Sequence, residues 1–384
     1  MPDSRSISHK VAIVGAAETE ELGQLPDRSM LQLHAESALR AVADAGLSMS
    51  DIDGVATAGA SPAALTEYLG IAPRWADGTS VGGGSFLMHV GHAAAAIAAG
   101  YCDTVLITHG ESGRSRVGVG GPARGPATPS GQFEAPYGVF GPPTMFSIPV
   151  VRHMTDYGTT HEQLAAVSVA TRQWASKNPR AAMQDPITID DVLNSRMICY
   201  PFHLLNCCLV TDGGGALVLV SEERANDFPK KPVWLLGRGE SVQHTNVSMM
   251  RDFSFWDHGA LSGQEAFRMA DVDQSAIDHA MFYDAFSHTP MYALEALGFV
   301  DRGESGPWFE EMRGAPGGEL PMNTNGGGLS YTHTGMYGMF AIQEAVAQLR
   351  LEADGRQVDD IETSVVHAPG GMFSAAATLI LGNQ

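Results

Sequence analysis

The chain has 384 residues, a length that predicts two or three domains with sizeable hydrophobic cores. With 44% apolar residues it has the composition of a globular protein, and its formal net charge of −20 opposes attraction to nucleic acids and anionic membranes. We therefore expect neither a nucleic acid nor a membrane as a partner.

The first third of the chain alternates short apolar runs with helical patterns. Residues 10–15 form an apolar run that ends in glycine and predicts a buried strand, and residues 54–58 and 104–108 predict two more. Leucine and alanine at helical spacing predict a helix over residues 29–46, and an alanine-rich segment predicts another over residues 85–100. This alternation is typical of an α/β sheet.

Residues 112–149 are dense in glycine and proline, which predicts an irregular loop that contacts a substrate or a partner. This segment contains Arg114, Arg116 and Arg124. In so acidic a chain these arginines could meet the phosphates of a nucleotide-bearing substrate, or they could simply be solvated.

The middle of the chain returns to regular patterns. A helix is predicted over about 161–177, with Thr159 or Thr160 as its N-cap. Residues 212–220 then predict a strand that rejoins the first sheet.

The second half is predicted to begin near Pro232, which divides the chain into residues 1–231, with a loop region at about 112–200, and residues 232–384. The segment 45–53, Ala-Gly-Leu-Ser-Met-Ser-Asp-Ile-Asp, has an echo in 270–278, Ala-Asp-Val-Asp-Gln-Ser-Ala-Ile-Asp. The match is short enough for chance, but it is what a duplicated α/β unit would leave.

The cysteines bear on compartment and metal binding. The chain has Cys102, Cys199, Cys207 and Cys208, two of them adjacent, which suits no ordinary disulfide framework and indicates the cytosol. With His203 nearby, three of these thiols could suggest a zinc site. Pro201 interrupts the segment, however, so we interpret these cysteines as buried and structural and expect no metal.

Two loops near the end of the chain combine glycine with histidine. One is Asn323-Thr-Asn-Gly-Gly-Gly-Leu-Ser-Tyr-Thr-His333, and the other is His367-Ala-Pro-Gly-Gly371. Glycine lets backbone N–H groups approach a substrate closely, and a nearby histidine can polarise a carbonyl group or move a proton.

These loops resemble those of the thiolase superfamily. Further stretches carry the resemblance over nearly the whole chain: 153–164, 178–182, 205–216 and 283–287. It implies a five-layer αβαβα fold of two similar α/β halves, a coenzyme A thioester as substrate and no bound cofactor. It also implies that His333 is the oxyanion-hole histidine, that His367 stands where thiolases have an acid/base cysteine, and that Asn323, Gly326, Gly327, Gly328 and Gly370 shape the substrate pocket.

The chain departs from condensing thiolases before the helix at 85–100. There the segment reads Ser80-Val-Gly-Gly-Gly-Ser-Phe-Leu-Met-His89, without the nucleophilic cysteine. We expect a tight turn that brings backbone amides toward the thioester oxygen, with Ser85 as the helix N-cap. The alternative is that Ser85 is a nucleophile with His89, one helical turn on, as its base.

Tyr283 belongs to a strand-end motif, Met281-Phe-Tyr-Asp-Ala-Phe-Ser287, that resembles loops reaching the thiolase catalytic centre. It could instead pack on the core. The chain is also similar to steroid side-chain aldolases of the superfamily, which lack the nucleophile and have tyrosines at this position and at the one matched by His333. The resemblance makes Tyr283 a catalytic candidate beside His333 and His367.

A Claisen condensation needs an acyl-enzyme, whereas retro-aldol cleavage of a 3-hydroxyacyl-CoA needs only a base and a stabilised enolate. We therefore expect a CoA-thioester aldolase or lyase. The alternatives are an acyltransferase of the acetyl-CoA acetyltransferase type and a non-catalytic acyl-CoA-binding or lipid-binding subunit. The resemblance implies a homodimer, and it makes a small partner with a zinc ribbon and an OB-fold a candidate.

Overall fold

A computed structural model describes residues 7–117, 127–139 and 141–384. The strands of this part of the chain are β1 Val11–Glu18, β2 Gly54–Thr57, β3 Trp75–Asp77, β4 Thr104–Ser112, β5 Met197–Cys199, β6 Phe202–His203, β7 Asp212–Ser221, β8 Val233–Val242, β9 His279–Phe282, β10 Thr363–Gly370 and β11 Ala375–Gly382. The helices are α1 Met30–Asp44, α2 Pro62–Leu69, α3 Ser85–Ala98, α4 Pro129–Phe133, α5 Pro142–Tyr157, α6 His161–Ala175, α7 Ile189–Asn194, α8 Asp257–Ala270, α9 His288–Ala296, α10 Ser305–Glu310 and α11 Gly338–Leu349.

The main sheet contains two units with matching strand orders. Its order is β3-β2-β4-β7-β1-β8-β11-β10-β9. In the first unit β2 and β4 are parallel and β7 is antiparallel to β4 and β1. In the second unit β9 and β10 are parallel, and β11 is antiparallel to β10 and β8. The units join where β1 meets β8, through the pairs Ala12–Trp234 and Ile13–Val233.

Helices cover both units and fill the space between them. Helix α3 contacts β4 and β7 of the first unit and β11 of the second, and it also contacts α11. Most residues of α3 and nearly every residue of α11 are buried, because both helices pack between the two units. Helix α1 lies on the outer face of the first unit and α8 on that of the second. The expected five-layer αβαβα fold of two similar halves is confirmed.

The structure corrects one element of the sequence-based expectation. Residues 112–149 were expected to be irregular, yet α4 lies within them and α5 begins at Pro142. Proline is favoured in the first turn of a helix, where its missing N–H is not needed, so the Pro142-Pro143 pair starts α5 rather than preventing it. Arg124 lies outside the described residues.

Local signals elsewhere are confirmed. The side chain of Thr160 accepts a hydrogen bond from the backbone N–H of Gln163 and caps α6. Strand β7 pairs with β1 and β4, as expected for its return to the first sheet. Among the described residues, no helix is both long enough and apolar enough to cross a bilayer.

Candidate active site

A cavity of about 500 Å³ opens where the two halves meet. It is bounded by the end of β4, the turn before α3, the loop after β9, the loop before α11 and the turn after β10. Most of its lining is apolar, with contributions from Phe146, Leu209 and Met372. A mostly apolar pocket with a few convergent polar groups is the usual form of a small-molecule site.

Tyr283 and His333 meet in this cavity. The Tyr283 hydroxyl lies 2.8 Å from Nε2 of His333, within hydrogen-bonding distance. Burial raises the pKa of Tyr283 well above its ordinary value and lowers the pKa of His333 to about 4. Both side chains are therefore neutral at pH 7. One of them donates its proton to the other in this hydrogen bond, so at most one further proton of the pair is left to donate to a ligand. The structure thus brings together two of the three catalytic candidates.

The backbone around His333 is fixed by hydrogen bonds. The N–H of His333 donates to Oγ1 of Thr211 over 3.0 Å, and the N–H of Thr211 donates to the carbonyl oxygen of His333 over 3.0 Å. One turn of π-helix, Gly327–Tyr331, precedes this pair. The position of His333 therefore depends on a loop that is anchored to the segment before β7.

The carboxylate of Asp284 anchors the π-helical turn. Its oxygens accept hydrogen bonds from the N–H groups of Gly328, at 2.5 Å, and Leu329, at 3.2 Å. A Cβ atom on Gly327 would overlap this carboxylate, and the positive φ of 61° there also favours glycine. Burial raises the pKa of Asp284 to about 7 against the opposing effect of these bonds. Asp284 directly follows Tyr283, so one side chain supports the loop while its neighbour lines the cavity.

The turn before α3 lies against the ring of Tyr283. A Cβ atom on Gly83 would overlap Cε2 of Tyr283, so the aromatic ring occupies the space that a side chain at position 83 would fill. Gly82 and Gly83 both line the cavity. In the segment where thiolases have their nucleophile, this chain presents glycine backbone.

Ser85 does not have the expected capping role. Gly84 is the N-cap residue of α3, and Ser85 is the first residue of the helix. The hydroxyl of Ser85 donates to the carbonyl oxygen of Gly82 over 2.6 Å and accepts from the N–H of Val81, so it closes the glycine turn. His89 lies within 2.9 Å of the Thr79 carbonyl oxygen, and no hydrogen bond joins it to Ser85.

His367 lies inside the protein and does not line the cavity. Its Nδ1 is 2.7 Å from Oγ1 of Thr378, its cross-strand partner on β11, and its ring contacts Trp256. Burial lowers the pKa of His367 to about 3, so the imidazole is neutral. Although its sequence position matches the thiolase cysteine, its side chain pairs with the neighbouring strand.

The remaining predicted pocket residues contact the segments that line the cavity but do not line it themselves. Asn323 accepts the N–H of Phe282 at the end of β9, over 2.8 Å. Gly326, Gly327 and Gly328 form or flank the π-helical turn, and only the last lies close to the His333 ring. Gly370 packs against Val81, while its neighbour Gly371 reaches the cavity. These residues shape the site without lining it.

Several lining residues were not predicted. Glu111, near the end of β4, and the adjacent Cys207 and Cys208 face the cavity. Burial raises the pKa of Glu111 to about 7, raises that of Cys207 to about 12 and raises that of Cys208 further. Glu111 lies three residues after the predicted strand 104–108, and this nearness to a strand end is the sequence signal that could have indicated it.

The rejected zinc interpretation can be compared with the geometry. Nδ1 of His203 is 2.7 Å from the Ser195 carbonyl oxygen, and the Cys207 thiol donates to the carbonyl oxygen of His203. Within the described parts of the chain, no group of three or more His, Cys, Asp or Glu side chains is arranged to hold a metal ion.

Comparison with known proteins identifies the family. Residues 239–383 match the model of the family described as "Thiolase C-terminal domain-like". The chain is 32% identical to an acetyl-CoA acetyltransferase of Methanothermobacter thermautotrophicus, with 96% of this chain and 98% of the relative aligned. It is 35% identical to a steroid side-chain-cleaving aldolase of Thermomonospora curvata, with 97% of each chain aligned.

A solved structure agrees with these relatives over the whole chain. It is described as the Ltp2-ChsH2(DUF35) aldolase and superposes with a TM-score of 0.91 at 33% identity, covering 98% of both chains. The sequence relatives, the family model and this structural neighbour agree with one another and with the arrangement of the two halves. The chain belongs to the thiolase superfamily.

Proposed function

We propose that this protein is a CoA-thioester aldolase that cleaves a 3-hydroxyacyl-CoA by a retro-aldol reaction. The observation that carries the proposal is the pairing of Tyr283 with His333 above Gly83. The pair is neutral and can donate to a ligand, and the segment that holds the thiolase nucleophile supplies no side chain at position 83. The similar aldolases from Thermomonospora curvata and in the solved complex support the same chemistry.

The reaction needs one proton removed and one proton added. A base takes the proton of the 3-hydroxyl group, the C2–C3 bond breaks, and the C3 oxygen becomes the carbonyl of a departing ketone or aldehyde. The electron pair of the broken bond passes to C2 and the thioester oxygen as an enolate. Protonation of C2 then gives the shortened acyl-CoA. No acyl-enzyme forms, so no cysteine nucleophile is required.

Tyr283 and His333 are placed to stabilise the enolate. We propose that the hydrogen bond between them opens when the substrate binds, so that both can donate to the thioester oxygen. A preorganised donor of this kind is usually worth a factor of roughly 10²–10³ in rate. Their burial among apolar side chains strengthens such bonds, because water does not compete for the oxyanion. Arg116 lines the same cavity and is our candidate contact for the CoA phosphates.

The direct test is product analysis. The purified protein is incubated with a panel of 3-hydroxyacyl-CoA and 3-ketoacyl-CoA esters, including steroid side-chain esters, and products are identified by mass spectrometry. We expect a shortened acyl-CoA and a free ketone or aldehyde from a hydroxy ester. A protein that binds these esters tightly but leaves them intact would be a non-catalytic subunit, and the proposal would be wrong.

An acyltransferase is the second candidate, because a similar archaeal relative is named acetyl-CoA acetyltransferase. Transfer through an acyl-enzyme would leave a covalent adduct on the protein. Acid quenching during turnover of a radiolabelled acyl-CoA, followed by intact-mass analysis, distinguishes the candidates. A stoichiometric adduct favours acyl transfer, and its absence during active cleavage favours the aldolase.

We also propose two assemblies and a compartment. The first assembly is a complex with a small zinc-ribbon and OB-fold protein, because the structural neighbour contains ChsH2(DUF35). The product analysis is therefore run with and without such a partner encoded nearby. A homodimer would cover strand β3, which lies at the edge of the sheet. The four cysteines are free thiols, which suits a reducing cytosol.

A further inference from the structure

Glu111 lies directly beside the loop that carries His333. It occupies the penultimate position of β4, where it pairs with Gly213 of β7. A Cβ atom on Gly335 would overlap the Glu111 carboxyl group, so glycine two residues after His333 makes room for this side chain. The φ of Gly335 is 124°, which also favours glycine. The carboxylate therefore enters the cavity from the side of the His333 loop.

The carboxylate of Glu111 lacks the support that other buried acids in this protein have. Its Oε2 is shielded from solvent and has no hydrogen-bond partner among the described residues. The buried carboxylate of Asp284, in contrast, accepts two backbone N–H bonds. A buried polar atom without a partner is costly, and in native proteins it commonly serves a ligand or a reaction.

The proposed reaction leaves one role unassigned. Tyr283 is protonated, and burial lowers the pKa of His333 to about 4, so neither is a good acceptor for the proton of the 3-hydroxyl group. Ionised Glu111 has no proton to donate and can take one from a substrate, and it lines the same cavity. Glu111 comes from the first strand unit and Tyr283 follows a strand of the second, so the two groups reach the cavity from different units.

We infer that Glu111 is the general base of the cleavage reaction, an inference that rests on the retro-aldol function proposed above. Ionised Glu111 takes the proton of the substrate hydroxyl as the C2–C3 bond breaks. The carboxylic acid that results returns this proton to C2 of the enolate after the ketone or aldehyde has left. The enzyme finishes in its starting state, and no other reactant is consumed.

The acidity of the three groups is consistent with these roles. Burial raises the pKa of Glu111 to about 7, close to the value at which a group both accepts and returns a proton efficiently at neutral pH. Burial instead lowers the pKa of His333 to about 4, which makes it a weak base. Other titratable or charged groups facing the cavity are Arg116, Cys207, Cys208 and Tyr283.

The test compares Glu111→Gln with the wild-type enzyme on an ester that the wild type cleaves. We expect kcat to fall by roughly 10²–10⁴, the usual contribution of a general base, while substrate affinity measured by calorimetry changes little. Wild-type kcat/KM should rise with pH up to about pH 7 and then level off, because Glu111 must be ionised. That rise should be largely lost in Glu111→Gln, with only a remainder from Asp284, whose pKa is also raised to about 7. A purely structural role would leave the rise in place.

Two further variants distinguish loss of the base from misfolding of the variant. Glu111→Asp keeps the carboxylate and should retain more activity than Glu111→Gln. Glu111→Ala should recover activity when formate is added, whereas the wild type should not respond. The control is Glu240→Gln, which removes a carboxylate that is paired with His92 outside the cavity and should leave kcat unchanged.

The outcomes separate the two proposals. If the wild type cleaves its ester and Glu111→Gln keeps both its rate and its pH dependence, the role of Glu111 is wrong and the retro-aldol function stands. If the wild type cleaves no hydroxy ester, with or without a partner protein, both are wrong. A large loss of kcat in Glu111→Gln, together with loss of the pH dependence, supports the inference.

Discussion

The hydroxyl oxygen of Tyr283 lies 2.8 Å from Nε2 of His333, although 50 residues separate the two in the chain. The tyrosine directly follows strand β9, and the histidine follows the π-helical turn that Asp284 anchors. Because both groups are neutral and shielded from water, the pair can serve as a preformed site for an oxyanion.

His333→Ala tests the proposed oxyanion role. We expect kcat to fall by roughly 10²–10³, as is typical when one oxyanion donor is lost, with little change in substrate affinity. Steady-state kinetics and calorimetric titration with a product CoA ester measure the two quantities. A variant that folds normally and keeps near-full activity would place the site elsewhere.

Tyr283→Phe removes one hydroxyl group and no ring. A loss of kcat comparable to that of His333→Ala would assign Tyr283 to proton donation. Because the two side chains share a hydrogen bond, we expect the double variant to lose less than the product of the single losses. Multiplicative losses in this double-mutant cycle would show that the residues act independently.

The four cysteines should be dispensable for the chemistry. Burial raises the pKa of Cys207 to about 12 and also raises that of Cys208, so neither is a thiolate at pH 7. Since the thiolate is the reactive form, iodoacetamide should leave activity largely intact, and Cys208→Ala should be active. Rapid inactivation with a single labelled cysteine would instead favour a covalent thiolase mechanism.

Buried His367 should make stability depend on pH. The pKa of His367 is about 3 in the folded protein and about 6.5 in the unfolded chain. Between pH 3 and pH 6.5 the unfolded chain therefore binds a proton at this residue and the folded protein does not. Stability is thus lost as pH falls below about 6.5. His367→Gln lacks this one contribution, while other buried histidines such as His34 and His279 still destabilise the fold in acid. The stability deficit of His367→Gln relative to the wild type should therefore narrow by about 1.4 kcal/mol for each pH unit below about 6.5.

Urea unfolding at a series of pH values measures this narrowing. His9→Gln serves as the control, because it makes the same substitution at an exposed position. If the difference in the free energy of unfolding between His367→Gln and the wild type stays constant with pH, His367 is protonated in the folded protein as it is in the unfolded chain.

The edge strand β3 should mediate a homodimer. Light scattering is expected to give about twice the 40.6 kDa chain mass. Lysine on an open edge opposes pairing, so Ala76→Lys should shift the protein toward the monomer. Leu39→Lys, which changes an exposed side chain of α1, should leave the mass unchanged. A wild-type monomer at micromolar concentration would contradict the prediction.

Sequence patterns were sufficient for local elements and for motifs that lie within one loop. The cap at Thr160 and the strand–loop motif around Tyr283 depend on neighbouring residues, and the structure has both where the sequence predicts them. The helix from Pro142 was missed because proline was treated as a breaker and not as a first-turn residue.

Features that depend on distant contacts could not be predicted in this way. Glu111 faces the cavity because Gly335, more than 200 residues later, leaves room for it. His367 turns to Thr378 because β10 and β11 pair in one particular register. Neither relationship has a periodic or local signature in the chain.

The contact between Gly83 and the Tyr283 ring limits which side chains these two positions can hold at the same time. A cysteine at position 83 and a tyrosine ring at position 283 would need the same volume, so the two cannot coexist without a shift of the backbone. A side chain introduced at position 83 therefore has to be accompanied by a smaller residue at position 283, so position 83 can change only together with position 283.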